Sequence, residues 1–131
     1  MDGSGQRIRL DRPLGVPSVI ALWASWCSPC AEELPVFQRL HEDAAGQLLV
    51  LGVSTRDDAE RAVGAAVDLH LGFPSVYDPQ GETLRVLRRT ALPVTALVGA
   101  DGRVLHVYNG VALTDGTVRA LVRQYLRVGV R

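Results

Sequence analysis

The sequence contains no lysine, only two cysteines and no long apolar run, and its charges cancel: fourteen arginines face fourteen Asp plus Glu. A net charge of zero removes the field that a nucleic-acid binder or a polybasic membrane surface needs, so no nucleic-acid partner is expected. The apolar runs, such as Val19 to Ala24, fall far short of the ~20 residues that span a bilayer. No charged start, apolar stretch and cleavage site opens the chain, which as it stands reads as soluble. Two cysteines cannot make a disulfide framework or a four-thiolate zinc site. What is present is 131 residues, 47% of them hydrophobic, the composition of one globular domain. A domain of that size folds without cross-links, so Cys27 and Cys30 point to reactivity rather than to stability.

Residues 1–7 are Gly-rich and polar and are expected to be a disordered start or a remnant outside the fold, leaving residues 8–131 as a single domain. Ile8 and Leu10 alternate with arginines as a short edge strand would. Val19 to Ala24 reads as a buried strand. From Cys27 the spacing turns helical through Cys30, Leu34, Phe37 and Ala44, with a kink expected at Pro35 and an end at Gly46. Leu48 to Ser54 reads as a second buried strand. Thr55 with Asp58 resembles a capping box for a helix whose stripe is Ala59, Val63, Ala66 and Val67. Phe73 to Asp78 is a short strand, and Asp78-Pro79-Gln80-Gly81 turns into a short helix ending at Arg88 and Arg89. Val94 to Val98 and Val104 to Tyr108 form a hairpin about Asp101-Gly102. Thr114 and Asp115 open a last helix with Val118, Leu121, Val122 and Tyr125 inward. Strands alternating with helices, then a hairpin and a closing helix, define an α/β domain of three layers with a central mixed sheet flanked by helices.

Trp26-Cys27-Ser28-Pro29-Cys30 lies where the first strand gives way to its helix, which sets Cys27 at the helix N-terminus among unpaired N–H groups. Such a site stabilises the thiolate and makes Cys27 the nucleophile, with Cys30 one turn deeper to resolve a mixed disulfide. The competing readings of a lone C-x-x-C are two small buried hydrophobes or half a metal site.

These residues resemble the thioredoxin superfamily, and within it the TlpA/ResA/CcmG-like thiol:disulfide oxidoreductases. The resemblance rests on Leu22 to Cys30, Glu33-Leu34-Pro35, Phe73 to Gly81, Leu92-Pro93-Val94-Thr95 and Asp101-Gly102, in the family's order. Arg56 to Arg89 resembles the extra strand and helix of this branch. The resemblance implies a thioredoxin-like fold, a redox-active Cys27–Cys30 disulfide with no other cofactor, and a cis Pro93 facing it. Leu92 would then pair its backbone with a bound substrate segment. Without the resemblance, Pro93 reads as a plain strand-start proline. Trp26 matches the tryptophan beside the nucleophile and would shield the pair, whereas Trp23 reads as core. The buried Asp of thioredoxin is absent, its position being Ala21. Glu33 matches a glutamate that the branch carries near its cysteines. Two readings of it stand open: a carboxylate that tunes the pair and carries the proton of Cys30, or an exposed acid stabilised by the helix dipole.

The function so implied is an extracytoplasmic reductant of protein disulfides, for example in cytochrome c maturation or metal-site assembly. Its partners would be protein disulfide or dithiol substrates and a membrane or soluble thiol electron donor. A soluble, monomeric domain tethered to a membrane in a longer protein is expected, with a cytoplasmic setting left open. Four alternatives remain. A dithiol oxidant or isomerase is open because Ser28-Pro29 does not set a potential. A peroxidase is disfavoured because Ala24, not Thr, stands three residues before Cys27. A thiolate metal-handling module would need a third ligand that scattered His41, His70 and His106 do not supply, so no metal is expected. A redox-inert interaction domain would have no use for both cysteines. Arg88 and Arg89 read as a solvated helix end, or as the flank of a docking surface.

Overall fold

In a computed structural model of the protein, residues 15–109 and 113–130 are described. The expected polar start at residues 1–7 and the edge strand at Ile8 and Leu10 lie outside them. The first strand, β1 (Ser18–Trp23), is buried along its whole length. Its odd positions Val19, Ala21 and Trp23 join one apolar cluster, and Ile20 and Leu22 join another on the opposite face. A strand covered on both faces has no polar side to present, which is why its sequence is a continuous apolar run.

Helix α1 (Ser28–Ala44) follows and leads to β2 (Leu49–Thr55), which lies parallel to β1. Next come α2 (Ala59–Asp68), β3 (Ser75–Asp78), parallel to β2, and the short α3 (Glu82–Val86). Then β4 (Val94–Val98) pairs antiparallel with β1 and β5 (Val104–Asn109) antiparallel with β4. Helix α4 (Asp115–Leu121) closes the domain and continues as a wider turn over Val122–Leu126. The sheet order is β3-β2-β1-β4-β5, so the mixed sheet is as expected. Leu34, Phe37 and Leu40 of α1, Ala62 of α2 and Val118 of α4 share the first cluster, while Leu84 of α3 belongs to the second. Three helices therefore cover one face and α3 the other.

Two expectations about α2 need correction. Thr55 does not cap it; the residue completes β2 opposite Asp78 and its hydroxyl donates to Asp78 Oδ2 at 3.0 Å. Strand pairing claims Thr55, and the cap falls to Asp58, whose carboxylate accepts from the Arg61 N–H at 3.3 Å. The inward stripe is Ala62, Ala65, Ala66 and Leu69, the i, i+3, i+4, i+7 set, and Val63 and Val67 face solvent at 56% and 65% exposure. Elsewhere the differences are small. Helix α1 runs through Pro35 as one helix and ends with Ala45, ahead of Gly46, in the left-handed conformation. Thr114 caps α4 as expected, accepting from the Thr117 N–H, and Tyr125 is half-buried, stacked on His106 at 4.4 Å between ring centroids.

Candidate active site

Cys27 is the N-cap of α1, in extended conformation, and its sulfur accepts from the Cys30 N–H at 3.2 Å. Pro29 stands in the first turn, where a missing N–H costs nothing. The two cysteines, with Cα atoms 5.2 Å apart, are joined as a disulfide. Both are buried, Cys27 less deeply than Cys30.

The loop that delivers Cys27 is fastened from below. Asp57, buried in the turn between β2 and α2, accepts from the Ser25 N–H at 2.6 Å, from the Ser25 hydroxyl at 2.9 Å and from the Asp58 N–H at 2.8 Å. The Tyr77 hydroxyl holds the Asp57 carbonyl at 2.6 Å. Trp26 is 59% exposed beside the disulfide, its indole N–H given to the Arg56 carbonyl at 2.8 Å. The Arg56 guanidinium reaches the Thr90 carbonyl at 3.2 Å, tying this loop to the segment that enters β4.

That segment carries Leu92 and Pro93, joined by a cis peptide bond as the resemblance implied. Val94 pairs with Leu22, so Pro93 lies level with the end of β1 from which the cysteine loop departs. Asn109 of β5 donates to the Pro93 carbonyl at 3.0 Å. Pro93 is buried and Leu92 half-buried.

Glu33 is not the exposed acid of the second reading, being only 3% exposed on the face of α1 that carries Cys30. Its Oε2 accepts from the Leu113 N–H at 3.0 Å, and Thr95 of β4 also hydrogen-bonds it. Thr95 pairs with Ala21, so the carboxyl reaches the sheet beside the position where thioredoxin has its Asp. Burial pushes the Glu33 pKa up to about 7, against the smaller downward pull of the Leu113 and Thr95 hydrogen bonds. The approach of α4 that delivers Leu113 is secured by Arg119, which bridges Asp43 of α1 at 2.7 Å and Asp115 at 3.0 Å.

The arrangement brings Cys27, Cys30, Glu33, Trp26, Leu92 and Pro93 to one end of β1 and α1. Asp57, Ser25, Arg56, Thr95 and Leu113 were not read from the sequence. The nearest signal was Asp58, read with Thr55 as a helix start, and Asp57 beside it went unread. Among the described residues no three His, Cys, Asp or Glu gather as a metal site. His41 meets Phe73 edge-on and His106 stacks on Tyr125, far apart in the sequence and on different elements. Arg88 is an exposed helix-end residue, as is the solvated reading, and Arg89 bonds the local carbonyls of Leu87 and Arg88. No helix among the described residues is long and apolar enough to cross a membrane.

A mixed five-stranded sheet with a Cys-x-x-Cys helix start at the end of β1 and a cis proline at the start of the neighbouring β4 defines a thioredoxin-like domain. The chain belongs to the AhpC/TSA family, whose model matches residues 1–107. It is 30% identical over 112 residues to the thiol:disulfide interchange protein CycY of Rhizobium leguminosarum bv. viciae, covering 82% of this chain and 59% of that protein. It is 27% identical over 112 residues to the thiol-disulfide oxidoreductase ResA of Bacillus thuringiensis subsp. konkukian, covering 83% and 64%. The chain thus spans less than two thirds of these curated relatives. The fold matches that of the pneumococcal exposed lipoprotein thioredoxin Etrx1 of Streptococcus pneumoniae strain TIGR4, with a TM-score of 0.80, 22% identity and coverage of 95% and 96%.

Proposed function

We propose that this chain is a dithiol-disulfide oxidoreductase, the class of activity named for the CycY and ResA relatives, and that it works by reducing protein disulfides outside the cytoplasm. The observation that carries the reading is Cys27 as N-cap of α1, its sulfur facing the Cys30 N–H with Cys30 within disulfide reach. A thiolate there accepts a backbone hydrogen bond and meets the positive end of the helix dipole, both of which lower its pKa.

In the reduced protein the Cys27 thiolate attacks one sulfur of a substrate disulfide, forming a mixed disulfide and expelling the first substrate thiolate. Cys30 gives up its proton and attacks the Cys27 sulfur. The Cys27–Cys30 disulfide forms and the second substrate thiolate leaves, so two electrons pass from the chain to the substrate. Glu33 is the acceptor for the Cys30 proton: one helical turn away, with a pKa near 7, it can take and return a proton at neutral pH. Trp26 offers a flat exposed face to the substrate, and the backbone at Leu92, before the cis Pro93, pairs with the substrate segment. A thiol donor then reduces the disulfide again. Cytochrome c maturation and metal-site assembly are the processes in which such substrates arise. The exposed lipoprotein nature of the pneumococcal neighbour supports the extracytoplasmic setting.

The test uses Cys30→Ser, which cannot resolve the mixed disulfide. Incubated with a cystine-bridged peptide, this variant should accumulate a covalent adduct at Cys27, located by mass after digestion. Absence of an adduct, or one formed equally by Cys27→Ser, would overturn the reading.

A further inference from the structure

Arg56 follows the last residue of β2, and its polar groups go to three different segments at the active-site end. Its backbone N–H donates to the Asp78 carbonyl at 3.0 Å, extending the β2–β3 pairing of Thr55 with Asp78. Its carbonyl accepts the Trp26 indole N–H at 2.8 Å. Its guanidinium donates to the Thr90 carbonyl at 3.2 Å, just ahead of Leu92 and Pro93. Trp26 belongs to the loop that delivers Cys27, and Thr90 to the segment that enters β4. One residue therefore joins the two sides of the proposed substrate cleft.

Two further features suit Arg56 to that place. Its backbone is left-handed, with φ at +52°, a conformation uncommon for a residue that carries a side chain. In a straight strand the N–H and C=O of one residue face the same neighbour. The left-handed turn parts them, leaving the N–H on β3 and aiming the carbonyl at Trp26. The arm then lies across Gly81, itself at φ +73°, where a Cβ would stand 2.7 Å from Arg56 Nε and 3.0 Å from its Cγ. Gly81 thus leaves a trough for the arm on its way to Thr90. Arg56 is exposed and belongs to neither apolar cluster, so the arm serves no packing need of the core.

We infer that Arg56 is a positioning residue for the substrate: it fixes the spacing between Trp26 and the Leu92–Pro93 edge, and so makes the cleft prefer an extended peptide disulfide over a small one. Two loops already strapped together need no ordering when the substrate arrives, which removes a cost of binding. That gain reaches only a substrate long enough to lie against both loops. A disulfide the size of cystamine needs no more than the Cys27 sulfur. Electron transfer itself stays with Cys27 and Cys30, and Arg56 acts on binding through Trp26 and Thr90. The inference rests on the reductase reading and deepens it.

The test is single-turnover oxidation of the pre-reduced intact chain by excess disulfide, read by alkylation trapping, with a net-neutral cystine-bridged peptide and with cystamine. Arg56→Met keeps the stem over Gly81 and removes the donor. Its preference for the peptide, the ratio of the two second-order rate constants, should fall about fivefold, with the loss in the half-saturating peptide concentration rather than in the limiting rate. Arg56→Lys, which keeps the charge and a donor, should recover to within about twofold of the parent ratio. Trp26→Phe frees the ring from the Arg56 carbonyl, and in that background Arg56→Met should cost less than in the parent, because the two contacts belong to one strap. An unchanged ratio in Arg56→Met, an equal loss on both disulfides, or full additivity with Trp26→Phe would overturn the inference, while the parent's own activity keeps the reductase reading standing. A parent oxidised by neither disulfide would overturn both.

Discussion

Helices α1 and α2 cover the same face of the sheet, yet α1 buries seven of its seventeen residues and α2 only one of its ten. The difference lies in side-chain volume. Phe37, Leu34 and Leu40 of α1 fill the space above the sheet, whereas α2 meets it with alanines and leaves a slot. Redox chemistry placed on α1 therefore sits on a close-packed platform, where a displaced sulfur or carboxyl has no room to wander. Helix α2 carries no part of the dithiol and can remain loosely seated without misplacing it.

The contrast can be broken or sharpened by substitution. The largest effect is expected for Cys27→Ser, which should abolish reduction of a cystine-bridged peptide in a coupled thiol assay with no loss of fold. Next is Phe37→Ala, which opens a void at a fully buried position of α1 and should cost about 3–5 kcal/mol in denaturant unfolding. Glu33→Gln should reveal the cost of a buried carboxylate. Its folded pKa of about 7 lies above the ordinary value of 4.5, so the folded state binds more protons than the unfolded state between those values. Stability of the parent then falls as pH rises from about 4.5 to 7, by roughly 3 kcal/mol in all. The neutral Gln variant should lack that slope and should be the more stable protein at pH 8, with little difference at pH 4; parallel pH curves would count against the buried acid. On α2 the effects shrink. Asp58→Ala removes the cap and should cost about 1 kcal/mol, and the exposed Val67→Ala should stay within about 0.5 kcal/mol.

The same contrast explains what could be read from the sequence. Helix α1 was legible because its large apolar residues repeat with the helical period and its N-terminus is marked by the cysteines and Pro29. The stripe of α2 was misread because valine outweighs alanine in hydrophobicity while geometry, not hydropathy, decides which side meets the sheet. The cysteine pair was legible as a local motif, whereas the cis Pro93 was legible only through the family resemblance, its own residues reading as a plain strand start. The burial of Glu33 was not, since it depends on Leu113, eighty residues away, arriving over α1 with the last helix. The Asp57–Ser25 fastening was hidden for the same reason: its partners are thirty-two residues apart and meet only when β2 has paired with β1.

The central claim is that this dithiol donates electrons to protein disulfides, and the equilibrium potential of the Cys27–Cys30 couple tests it most directly. It is measured by alkylation trapping after equilibration in graded thiol/disulfide buffers. The account predicts a value of ~-220 mV or lower, at the reducing end of the scale that runs from about -270 mV in thioredoxin to about -120 mV in DsbA. A value near the DsbA end would make the protein an oxidant and contradict it.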